Sequence, residues 1–156
     1  MTPLIAAHAL GASLALLLGA VNLLGKPKGD RPHRIIGRVW VVSMYWTVVS
    51  SFFIRELNPG SFSWIHGLSV FTFATLTIGL WAAMTNRIHT HRTYMRGSYF
   101  GAVGAFIGAI VVPTRDIPQL AIEHPMLLLA TVLAVTALAG SVVALARHVG
   151  IAQGED

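Results

Sequence analysis

LIAAHALGASLALLLGAVNLL, residues 4–24, holds a single ionisable side chain, His8, in an otherwise oily run. About 20 apolar residues at roughly 1.5 Å rise each make a helix as long as the hydrocarbon of a bilayer is thick, so the stretch reads as a transmembrane helix. It does not read as a cleaved leader, because no basic residue precedes it and His8 interrupts it. Four more runs of this kind follow at 35–54, 64–84, 94–112 and 126–146. They are continuous rather than alternating, which argues against a membrane β-barrel. The whole chain agrees: 54% of its 156 residues are hydrophobic and 11% charged, with a mean hydropathy of +0.68, too apolar to coat a water-soluble domain. The expectation is one all-α domain over 1–156, an integral membrane bundle of five transmembrane helices. Short links make consecutive helices antiparallel neighbours.

The cations then orient it. Lys26, Lys28, Arg31 and Arg34 lie between the first two runs with Arg38 in the first turn of the second, Arg87 and Arg92 lie between the third and fourth with Arg96 in the first turn of the fourth, and Arg147 follows the fifth; the opposite side has Arg55 and Arg115. By the positive-inside rule the amino terminus is outside and the carboxyl terminus cytoplasmic, in a bacterial inner membrane. The net charge of +5 is explained by this topology and by anionic lipid, and gives no support to nucleic-acid binding. The chain has no cysteine, which excludes disulfides, thiolate ligands, iron–sulfur clusters and covalent c-type haem. Phosphate loops, dinucleotide fingerprints and zinc-protease motifs are absent from the sequence. No acid lies inside a run, which weakens a proton-coupled transporter.

A repeat carries the costly residues. His8, Leu10, His33, Arg34 and Arg38 recur 58 positions later as His66, Leu68, His91, Arg92 and Arg96. Each copy spans two helices, so the copies point the same way and make the first four helices an up-down bundle of two parallel two-helix units. His8 and His66 then share the outer level, His33 and His91 the inner one, each pair on diagonal helices. Opposed imidazoles across a bundle core describe bis-histidine haem b iron ligation, with room for two such sites. The positive end of the helix dipole and burial both favour the neutral imidazole that binds a metal.

Arg38 and Arg96, a turn deeper than Arg34 and Arg92, are expected to face the bundle and hold haem propionates or an anionic or quinol-type donor; for Arg34 and Arg92 the same role and plain positive-inside anchoring stand as equal readings. Gly97, Gly101, Gly104 and Gly108 repeat GxxxG, for close helix packing or space beside a flat ring. Ser43, Thr47, Ser50, Ser51, Thr72, Thr75 and Thr77 suit bonds between helices.

Rival readings stay open. His89 is an alternative inner ligand. His124 follows His66 by another 58 positions, so His8, His66 and His124, with Glu123 near, describe a copper or zinc site. A non-catalytic small subunit of a larger membrane complex, its histidines wetted at the interface, is a third reading. The leading expectation is a haem-binding electron-transfer protein, an oxidoreductase using quinol or another small reductant. Its partners are the bilayer, a quinone or small redox molecule, and a homodimer or larger complex.

The early membrane histidine, HRIIGR (33–38), SSFFI (50–54), IHGLSVFT (65–72) and HRTYMRG (91–97) together resemble the bacterial predicted membrane proteins grouped as domain of unknown function 2306, over roughly 7–115. The layered histidines are similar to the ascorbate-reducible transmembrane cytochromes b. That likeness implies an outer haem on His8 and His66 and an inner one on His33 and His91.

Overall fold

A computed structural model describes residues 2–54, 64–113 and 115–152. Six helices form: α1 (Pro3–Leu24), α2 (Arg31–Ser51), α3 (Trp64–Met84), α4 (Ile88–Val111), α5 (Asp116–Glu123) and α6 (Pro125–Ile151). Among the described residues there is no strand.

Local chemistry sets the ends. The Thr2 hydroxyl accepts from the Ile5 amide and Pro3 occupies the first turn, where its missing N–H is harmless. At the other end of α1 the Lys28 ammonium donates to the carbonyls of Asn22 and Leu23, a cation on the negative pole of the helix. Asp30 caps α2, its carboxylate accepting from the His33 amide at 3.0 Å. α3 closes in a turn with Asn86 at φ 57°, left-handed backbone that asparagine tolerates better than most residues. Pro125 separates α5 from α6: proline pushes the residue before it out of helical geometry, and His124 sits at φ −137°, ψ 60°.

Helices α2 and α4 begin four and six residues earlier than the apolar runs at 35 and 94, because the basic HR-type motifs form their first helical turns. The segment before residue 126, expected as a link, contains the eight-residue α5, too short to register as a span. α1, α3 from His66, and α6 are long and apolar enough to cross a membrane, and α4 with α5 makes a fourth candidate as a pair bent by 50°. The arginines at the start of α2 keep it out of that set.

α1 packs on α2 and α4, and α3 packs on the same two, so the four form a ring in which α1 faces α3 and α2 faces α4; α6 lies outside it against α1 and α2. Leu18 and Leu76 are wholly buried in the centre with Ala15, Ile36, Trp40, Met44, Ala139 and Ala146 around them. Gly19 permits the tightest crossing. A Cβ there would fall 2.5 Å from Tyr99 Cδ2 and 2.6 Å from Trp40 Nε1, so only glycine lets rings from the facing helices α2 and α4 meet over α1.

Hydroxyls stitch the ring as expected for Ser51, Thr75 and Thr77: Ser51 bonds Ser69 at 2.7 Å, Tyr45 bonds Thr77 at 2.8 Å, and Thr75 bonds Ser98 at 3.1 Å. Ser43 and Thr47 instead donate back to carbonyls of their own helix, those of Val39 and Ser43. A Cβ on Gly97, Gly101, Gly104 or Gly108 would meet nothing within 4 Å, so these glycines mediate no close packing among the described residues.

Candidate functional site

The repeated histidines occupy two ends of one helix pair's length. At the first end His8, on α1, places Nδ1 2.8 Å from Ser50 Oγ on α2. Ser50 directs its own hydrogen at the Trp46 carbonyl, 2.6 Å away, so its oxygen is the acceptor and His8 donates through Nδ1–H. Nε2 then carries the lone pair. Trp46 ties the same corner by donating its indole N–H to the Ala7 carbonyl at 3.0 Å. His66, in the first turn of α3, is buried, with its ring 6.2 Å from that of Phe52 just past α2. His8 and His66 therefore both gather on the carboxyl-terminal end of α2.

At the opposite end His91 donates Nδ1–H to the Gly79 carbonyl of α3 at 2.9 Å, which again leaves Nε2 as the acceptor. Across the ring stands His33, half-buried at the start of α2, ahead of the apolar run that begins at Ile35. Its pKa is held below the ordinary histidine value by desolvation first, then by Lys28, His91 and Arg34, with Asp30 opposing. His33 and His91 thus sit within electrostatic reach of one another. Lys28 is also pushed down, by desolvation and then by Arg96, Lys26 and Arg92, against the pull of Asp30. Cations from the first interhelical link, from α2 and from α4 crowd near Lys28 and His33, where three chain segments come together.

Arg38 and Arg96 are exposed, contrary to the bundle-facing position expected of them. The reason is helical phase: α2 buries Ile36, Trp40, Ser43 and Met44, and a residue two positions from both Ile36 and Trp40 points away from that face. Arg38 instead shares a recess of about 400 Å³ with Arg31, Arg34 and Ile35. Arg96 shares a flank of α4 with Arg92, one turn apart and near Lys28. His89 is exposed at the start of α4.

His124 and Glu123 are exposed at the α5–α6 break. His124 uses its amide on the Leu120 carbonyl at 2.9 Å and its carbonyl on the amides of Leu127 and Leu128. Among the described residues no three histidine, aspartate or glutamate side chains gather at metal-ligand spacing.

The orientation partners of the histidines were not legible in sequence, since Ser50 and the Gly79 carbonyl are distant along the chain. Nor was Trp40, whose indole N–H is buried with no hydrogen-bond partner among the described residues. Its position seven residues after His33, two turns along one face, was the available signal.

An all-helical molecule with several apolar helices of membrane-crossing length is a polytopic membrane protein, and the bilayer is its first partner. The chain belongs to the predicted membrane proteins of domain of unknown function 2306, whose sequence profile matches residues 5–148. No curated protein and no solved structure matches it.

Proposed function

We propose that the protein carries electrons through the bacterial inner membrane on haem b held by paired histidines, His8 with His66 at the outer level and His33 with His91 at the inner. In this reading α2 and α4 also cross, giving five spans with α1, α3 and α6, the amino terminus outside and the carboxyl terminus cytoplasmic. The observation that carries it is the hydrogen bonding of His8 and His91. Each spends Nδ1–H on the protein, the arrangement that fixes the tautomer and ring angle of a metal-binding histidine and leaves Nε2 for the iron. Haem would supply a one-electron carrier; the protein's part is to orient its ligands.

Other features fit. His33 and Ser50 are seventeen residues apart on α2, about 25 Å at the helical rise, so the two levels divide the membrane between them. The orphan Trp40 indole lies between the levels, and a buried donor without a partner costs about 1–3 kcal/mol unless an acceptor is supplied. The outward position of Arg38 argues against a propionate role for it, and Arg96 retains one only at the rim.

A reduced-minus-oxidised absorbance spectrum of protein purified with ample haem tests the reading. Haem bands in the wild type, weakened in His8→Ala and His66→Ala and separately in His33→Ala and His91→Ala, support it. A wild type without bands ends it. Bound copper or zinc in place of haem would favour the alternative metal site.

A further inference from the structure

We infer that the groove between α1 and α6 seats one phospholipid of net negative charge, with an acyl chain along the groove and the phosphate on Arg147. The two helices pack on each other, and each is long and apolar enough to cross a membrane. Between them runs a groove of about 440 Å³, whose walls include Leu17 and Val21 of α1 and Thr136, Gly140, Ala144 and Arg147 of α6. Thr136, Gly140 and Ala144 recur every fourth residue, on one face of α6, and their small size opens the groove. A Cβ on Gly140 would meet nothing within 4 Å among the described residues. At membrane depth such a hollow draws in an apolar chain, because its walls forgo dispersion contacts until one fills it.

Length and charge select the occupant. Thr136 and Arg147 are eleven residues apart, about 16 Å at the helical rise, which matches one leaflet of a hydrocarbon core roughly 30 Å thick. An acyl chain fits that span; a transmembrane helix of a second copy would outrun it. Gly150, one turn beyond Arg147, packs on Pro32 in the first turn of α2, where a Cβ would fall 2.9 Å from Pro32 Cγ. Arg147 is therefore about level with Ile35, where the apolar run of α2 begins, and it is exposed. A guanidinium at the hydrocarbon edge is costly, and its fork suits the oxygens of a phosphate. A headgroup of net negative charge satisfies it; a zwitterionic one brings its own cation. The inference goes beyond electron transfer and is independent of haem.

Native mass spectrometry of the purified full chain, with equal amounts of phosphatidylglycerol and phosphatidylcholine carrying the same acyl chains, tests it. The wild type is expected to retain phosphatidylglycerol about fivefold over phosphatidylcholine, the factor one basic side chain gives at an anionic surface. Arg147→Gln removes the preference. Gly140→Leu fills the groove and lowers retention of both lipids, whereas Gly104→Leu, at an equally open glycine on α4, leaves both unchanged. Ala144→Leu fills the same groove and replaces Gly140→Leu if that variant does not fold. Equal retention of the two lipids by the wild type overturns the proposal, as does a preference that survives Arg147→Gln. Retention unaffected by filling the groove, or lowered as much by Gly104→Leu, overturns it too. A wild-type dimer that Gly140→Leu dissociates also overturns it, by showing a second copy in the groove.

Discussion

A histidine that donates one ring nitrogen to the protein has only the other to offer, and that limits what His8 and His91 can do. Their acceptors differ in a useful way: Ser50 can be removed by mutation, the Gly79 carbonyl cannot. Ser50→Ala is expected to lower haem affinity by roughly 10–100-fold while leaving the inner level intact, as loss of an orienting partner does at metal sites. Haem titration followed by absorbance checks this, and unchanged affinity would show that His8 is no ligand. Gly19→Ala forces a methyl into Trp40 and Tyr99 and is expected to cost about 1–3 kcal/mol, read as a lower melting temperature in detergent. His8 and His66 stood out in the sequence because an ionisable residue in an apolar run is costly, and His33 and His91 because they repeat with them at the same spacing. Their acceptors and the Gly19 crossing were not, because these contacts join residues far apart in the chain.

Among the elements, α1 and α3 match their apolar runs closely, since nothing but hydropathy is needed to find them. α2 and α4 start ahead of their apolar runs for the opposite reason: their first turns are basic, and hydropathy alone does not tell a polar loop from a polar helical turn at an interface. The capping residue was the better guide. Asp30→Ala is expected to cost about 1 kcal/mol of stability through loss of the bond to the His33 amide, measured by thermal unfolding. It also removes a carboxylate that offsets the cations acting on Lys28 and His33. α5 escaped notice because eight residues are too few for a span and because Pro118 and Pro125 bracket most of it in the sequence.

At the scale of the molecule, the packing of α1 on α2, α2 on α3 and α3 on α4 is what short links favour, and the position of α6 was not legible: nothing in its sequence says which pair it covers. The proposed orientation has a direct check, made easy by the absence of native cysteine. Thr2→Cys is expected to react with a membrane-impermeant maleimide in intact cells, and Ala152→Cys only after permeabilisation. The reverse pattern would invert the topology. Among the described residues α6 lies against α1 and α2, while α3 and α4 have beyond the ring only the short α5, on α4, so one wall of the ring is braced and the other lightly covered. His8 and His33 stand on the braced wall, His66 and His91 on the lightly covered one, so each matched couple spans both. Anything wedged between them is gripped by one stiff jaw and one that acyl chains can jostle, and its insertion and escape are governed by the swing of α3 and α4.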